Sequence, residues 1–271
     1  MAEAELIGLP IELERVIFEL AAWWYPETTQ TLILVAKRVC IWIEPLLYQV
    51  VLSNGNPDRL LQMMQAKSPE FLRKHVHHLA FSSVIPRSEI TRVLSTCTNI
   101  YDLALWTGDT YPGLLGDMGN LTHLRQLSVN LYALFGGHEE FNIPPPAELP
   151  FSHLTHLDVF SAVPEPLWSV FATLPALTHL SFSDYYIPEL ISAVLQTCEP
   201  LKLLIVVWTQ DADPMWETPE IADPRFCMIA CPQFENDWEL GAWGGLDFWR
   251  RADDFVARKR NGEIEGSVFE A

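Results

Sequence analysis

Val76-x-x-Leu79-x-Phe81 opens a phrase that the chain writes six times. The further copies are Ile100-x-x-Leu103-x-Leu105, Leu124-x-x-Leu127-x-Val129, Leu154-x-x-Leu157-x-Val159, Leu177-x-x-Leu180-x-Phe182 and Leu201-x-x-Leu204-x-Val206. Each copy alternates in the manner of a short strand, with its fourth and sixth residues on one face. Between copies lie amphipathic stretches of helical spacing, at Ser88–Ser95, Tyr111–Met118, Leu167–Ala172 and Pro188–Gln196. A strand and a returning helix cannot bury their apolar sides alone, so such units stack on their neighbours.

The spacing of the phrase falls in the roughly 20–29-residue range of leucine-rich repeats. The expected fold class is therefore α/β, a leucine-rich-repeat solenoid in which a curved parallel sheet is backed by outer helices. One interval is longer than the others. It holds Tyr132 to Pro150, where Gly136-Gly137 and Pro144-Pro-Pro146 argue for an inserted loop.

Strand alternation sends the third, fifth and seventh residues of each phrase to the sheet face opposite the helices. The third-position column reads His78, Asp102, Gln126, His156, His179 and Leu203. The fifth reads Ala80, Ala104, Ser128, Asp158, Ser181 and Ile205, and the seventh Ser82, Trp106, Asn130, Phe160, Ser183 and Val207. Aromatic anchors among polar groups are the composition of a recognition face. The expected target-binding residues are Asp102, Trp106, Asn130, His156, Asp158, Phe160 and His179. Glu139 and Glu140 in the insertion are placed to overhang its rim. The last strand departs from the pattern, since Leu201 to Trp208 is apolar at nearly every position. Such a strand is covered on both faces, and the expected cover is the C-terminal tail, through Trp249 or Phe255.

Upstream, Leu9-Pro10 opens a helix whose Leu13, Val16, Ile17 and Leu20 share a face. Tyr25-Pro26 ends it. A second helical stretch runs through Leu32, Leu34 and Val35, and a third from Lys37 to Glu44 is limited by Pro45. Tyr48 to Leu52 reads as an imperfect first strand, and Pro57 to Ala66 as a helix. Downstream, Asp211, Asp213, Glu217, Glu220 and Asp223 form an acidic loop. Phe226 to Cys231 reads as a further strand, and Leu246 to Arg260 as an amphipathic helix closed by Gly262.

The 271 residues are 49% hydrophobic and carry a formal net charge of −18. That charge repels phosphate backbones and anionic lipid, so neither nucleic acid nor membrane is an expected partner. No apolar run approaches the roughly 18 residues of a membrane span. Glu3 and Glu5 stand where a secretory signal needs bases. Five cysteines without a dense framework fit a reducing compartment, and the expected location is cytoplasmic or nuclear. Cys97 and Cys198 occupy equivalent positions before their strands, as small buried hydrophobes. No nucleophile elbow, phosphate-binding glycine loop or paired zinc-ligand motif is present. The expectation is a non-enzyme without cofactor or metal. The one alternative constellation is His156, Asp158 and His179, which neighbouring strands bring together as an acid–base or metal cluster.

Leu9-Pro-Ile-Glu-Leu13, Ile17, Val35-Ala-Lys-Arg-Val39 and Trp42 resemble an F-box. Ile41 to Tyr48 is similar to the F-box-like proteins abundant in fungi. Trp23-Trp24 departs from that family by being bulky. The resemblance covers about residues 7–50, and it implies a three-helix module that binds a Skp-type adaptor, and through it a cullin. It implies adaptor-binding roles for Leu9, Pro10, Leu13, Ile17, Val35 and Trp42. The organisation expected is an F-box-like module (1–50), the repeats (51–208) and an acidic loop, last strand and capping helix (209–271). The implied function is the substrate-recognition subunit of a cullin-type ubiquitin ligase; Trp106 and Phe160 beside Asp102 and Asp158, with the net charge of −18, favour a basic segment of a target protein on the repeats. The alternative is a repeat scaffold with no ligase partner.

Overall fold

The computed structural model describes residues 9–53, 57–82, 85–107, 111–137, 141–210 and 221–265. Glu3, Glu5, Glu139, Glu140, Asp211, Asp213, Glu217 and Glu220 lie outside the described residues. The protein is α/β. Its strands are β1 (Val50–Leu52), β2 (His78–Phe81), β3 (Asp102–Leu105), β4 (Gln126–Val129), β5 (His156–Val159), β6 (His179–Ser183), β7 (Leu203–Trp208) and β8 (Phe226–Ala230). They form one eight-stranded sheet in chain order, and every neighbouring pair is parallel.

Parallel neighbours cannot be joined by a tight turn and need a crossover. Helices α4 (Pro57–Gln65) and α5 (Pro69–His75) supply the first, and α6 (Arg87–Thr96) and α7 (Leu114–Met118) the next two. Helices α8 (Leu131–Leu134), α9 (Trp168–Thr173) and α10 (Pro188–Thr197) follow in the same way. Three helices precede the sheet: α1 (Ile11–Trp24), α2 (Thr29–Leu32) and α3 (Lys37–Ile43). Two follow it, α11 (Phe234–Ala242) and α12 (Phe248–Arg260). Among the described residues no helix is long and apolar enough to cross a membrane.

The register puts the repeated phrase in columns. Leu79 pairs with Leu103, Leu103 with Leu127, Leu127 with Leu157, Leu157 with Leu180 and Leu180 with Leu204. The turn before each strand repeats too: the N–H groups of Arg125 and Gln126 share the Tyr101 carbonyl, and those of Thr155 and His156 share the Arg125 carbonyl. The fourth- and sixth-position side chains, Leu79 and Phe81 through Leu204 and Val206, join the helices in one continuous core. Cys97 and Cys198 sit in that core. Burial pushes the Cys97 thiol up to about 12. The inserted segment does not disturb the ladder, since Leu127 still meets Leu157. It is less of a loop than its glycines and prolines suggest. Leu134, Phe135 and Leu149 are buried in it, and its turn is made at Gly136 (φ 100°) and Gly137 (φ 60°), where a Cβ would be strained.

The sheet is covered on its other face as well. Leu203, Ile205 and Val207 of β7 pack with Cys227 and Ile229 of β8 under Phe248, Trp249, Phe255 and Val256 of α12. This is the expected cover, with both expected aromatics in place. Helix α12 ends at Gly262 in the left-handed region (φ 73°), after Arg258, Lys259 and Arg260 in the last turn, where cations suit the carbonyl end. Helix α11 was not expected. Its Trp238 and Ala242 close over Ala80 and Ala104 of β2 and β3, with Val50, Leu52 and Trp106 at the margin.

Candidate functional site

Two regions hold the residues that the sequence singles out, and the structure treats them differently. The first is the sheet face under α11 and α12. Asp102, Asp158 and His179 are buried there, and Trp106, Asn130, His156 and Phe160 are half-buried. The expectation of an open recognition face is corrected at Asp102, Asp158 and His179, which are buried. The chain's own aromatic helices occupy the space. Trp106 packs edge-on against Phe234 (5.5 Å) and Trp238 (5.7 Å). Its indole Nε1–H donates to Ser128 Oγ at 2.7 Å. Asn130 is an N-cap, and its Oδ1 accepts from the Ala133 N–H at 2.9 Å. Phe234, Trp238 and Ala242 stand at i, i+4 and i+8, so helical spacing in the sequence was the signal that could have revealed this second cover.

Asp158 lies at the centre of the face, 3% exposed. Its carboxylate accepts from Ser128 Oγ (2.5 Å), Ser181 Oγ (2.6 Å) and Ser183 Oγ (2.8 Å). Burial raises its pKa above the ordinary carboxylate range, although the three hydroxyls pull the other way. His156 and His179 do not complete a triad with it. Their rings stack at 4.1 Å and 11°, and Trp249 stands edge-on to both, at 5.1 and 6.1 Å. Burial and the neighbouring His179 push the His156 imidazole down to about 3, so it is held neutral. His179 Nε2 faces the Asp253 carboxylate of α12 at 3.1 Å. Burial alone would raise Asp253, but the hydrogen bond and charge of His179 hold it below the ordinary carboxylate range. The arrangement pins α12 to β5 and β6. Among the described residues no group of three His, Cys, Asp or Glu side chains is placed to hold a metal ion.

The second region is the N-terminal helical module. Its core is small: Ala22, Val39 and Ile43, with Phe18, Leu32, Ala36 and Trp42 against them. Arg38 of α3 donates from Nε to Glu14 of α1 at 2.9 Å, which joins the two helices from outside. Helix α1 is apolar on more than one side, so packing Phe18 and Ala22 inward turns a second apolar ridge outward. Leu9 is 61% exposed, Leu13 52%, Ile17 51% and Val35 59%. Val16, Leu20, Leu34 and Ile41 are exposed as well. Of the residues singled out here, Leu9, Pro10, Leu13, Ile17 and Val35 are exposed together, whereas Trp42 is half-buried. The two tryptophans at the end of α1 divide. Trp24 is exposed, and Trp23 meets Trp243 edge-on at 5.7 Å.

No protein-family model matches the sequence, and no curated protein matches it.

Proposed function

We propose that the chain is the substrate-recognition subunit of a cullin-type ubiquitin ligase. In this reading the N-terminal helices are an F-box-like module that holds a Skp-type adaptor. The strand–helix units behind them are leucine-rich repeats that carry the target-binding part. One observation carries the proposal: Leu9, Pro10, Leu13, Ile17 and Val35, positions at which the sequence resembles an F-box, are all exposed. Burial of each such aliphatic side chain on a partner contributes about 1.5–3 kcal/mol. The recurrence of the phrase in one column of the sheet supports the second part of the reading. The protein catalyses nothing itself in this role. It brings a target close to a charged enzyme, and the rate gain comes from proximity.

The test is co-purification of the tagged chain with mass spectrometry. Adaptor and cullin peptides are the expected co-purifying species. Leu9→Ala with Pro10→Ala should weaken adaptor capture at least tenfold while circular dichroism stays unchanged. Capture equal to wild type in the double variant would sink the ligase reading.

A further inference from the structure

Covering of the sheet face leaves backbone open at the first edge of the sheet. Among the described residues, strand β1 pairs with β2 alone. The His78 N–H donates to the Gln49 carbonyl at 3.0 Å, and the Ser53 N–H to the Ala80 carbonyl at 3.1 Å. Backbone groups alternate sides along a strand. Gln49, Val51 and Ser53 therefore turn their N–H and C=O groups to β2, and Val50 and Leu52 turn theirs outward. Among the described residues, neither Val50 nor Leu52 gives or receives a backbone hydrogen bond on that outer side. Both residues line a groove of about 580 Å³.

The walls of the groove differ by face. Val51 faces the helix side, in the same core as Leu60 and Met64, and on that side Leu47 and Met63 line the groove. Val50 and Leu52 face the α11 side, where Glu239 and Trp243 line it. Glu27 stands on the wall formed by the N-terminal module. Among the described residues, Glu27 and Glu239 are the ionisable side chains in the lining. Neither is in an ion pair among the described residues.

We propose that the β1 edge is a peptide-binding site, which takes an extended segment of a partner protein alternating apolar and basic residues. Unpaired edge groups take an added strand, the outward groups of Val50 and Leu52 being its hydrogen-bond partners. A strand alternates its side chains, so one set meets Leu47, Leu60 and Met63 and the other meets Glu239, with Glu27 on the opposite wall. The apolar set sits on the helix side, and lysine or arginine on the Glu239 side. Charge complementarity fixes the second set, and the net charge of −18 steers such segments toward the chain. The inference stands without the adaptor reading. If both hold, the groove is where the target docks, between the module and the sheet.

The probe is a fluorescent octapeptide alternating valine with lysine, titrated by anisotropy against the full chain with no adaptor present. Saturable binding is expected, at least tenfold weaker for the analogue with glutamate in place of lysine. The same loss is expected when alternate backbone nitrogens are methylated, because that blocks strand pairing. Leu52→Pro removes an outward N–H and keeps the bonds to β2, a position where an edge strand accepts proline. It should abolish binding. Glu27→Lys with Glu239→Lys leaves the backbone edge intact, and should reverse the preference toward the glutamate peptide. This second variant decides the matter if the proline lowers stability. Equal binding of the methylated peptide, or an unchanged preference in the charge-reversed variant, overturns the proposal. So does a dimer in sedimentation that Leu52→Pro dissolves and the peptide does not, since the occupant is then a second copy of the chain.

Discussion

Helices α1 and α12 have nearly the same length, 14 and 13 residues, and both carry large apolar side chains. Their fates are opposite. Of α1 only Ala22 is buried. Of α12, Phe248, Trp249, Ala252, Phe255, Val256 and Lys259 are all buried. The difference lies in what each helix meets. Helix α12 lies over β7 and β8, whose outward residues are themselves apolar, so the two surfaces remove each other from water. Among the described residues, helix α1 meets α2, α3 and, through Trp23, Trp243 beyond α11, while Leu9, Leu13 and Ile17 at its start stay exposed. An apolar residue count is therefore no guide to whether a surface holds the fold together or is kept free for another molecule.

Removal of the cover should break the comparison most completely. A chain ending at Gln233 exposes Leu203, Ile205, Val207 and Ile229 at once. We expect aggregates in size-exclusion chromatography and strong binding of a hydrophobic dye; a monomer of native circular dichroism would show that the sheet face tolerates water. Trp249→Ala should cost about 3–5 kcal/mol in urea unfolding, the usual loss for truncating a buried aromatic. A cost below about 1 kcal/mol would mean that α12 is only loosely seated.

The next effect is pH-dependent. His156 is held down to about 3 against an ordinary 6.5, so between those values the unfolded chain binds a proton that the fold refuses. The stability it secures is full above about pH 6.5 and declines as pH falls through that window. Asp158 acts in the other direction. Its folded pKa lies above the ordinary 3.8, so its contribution is full below 3.8 and fades as pH rises. His156→Phe keeps a ring against Trp249 and removes the proton. Chemical denaturation across pH 7 to 4 should then show a flatter profile than wild type; an equal slope would assign the acid loss elsewhere. The smallest effect belongs to α1. Leu13→Ala and Ile17→Ala should each change stability by less than about 0.5 kcal/mol, the usual size for exposed positions. Larger losses would mean that the ridge packs on this chain after all.

The ladder was legible because six copies of one phrase leave little freedom: Leu79, Leu103 and Leu127 must share a column for any of them to be buried. The cover on β7 was legible for a similar reason, since Leu203, Ile205 and Val207 alternate with residues that are also apolar. Helix α5 went unread although its signals are local. Ser68 accepts from the Phe71 N–H, Pro69 takes the first position, and Arg73, Lys74 and His75 fill the last turn. What could not be read was where α11 lies. Its Phe234, Trp238 and Ala242 announce an apolar face, but no local rule says that β2 and β3, distant in sequence, are its partners. Polar residues at Asp102, Asp158 and His179 reinforced the impression of a wet face. Satisfaction of Asp158 by serines and of His179 by Asp253 is a tertiary fact.

Helices α11 and α12 form a strap that meets the sheet at both ends, with Trp238 over β2 and β3 and Trp249 and Phe255 near β5 to β8. A stack of units that touch only their neighbours unfolds as a one-dimensional array, and its end units fray independently. Here the first and last strands share one cover, and Trp23 joins the N-terminal module to the same segment. Fraying either end must first lift the strap from the other. The chain should consequently melt in a single cooperative transition, and it should fold more slowly than its local strand–helix contacts alone would allow, since the strap adds contacts of long sequence separation.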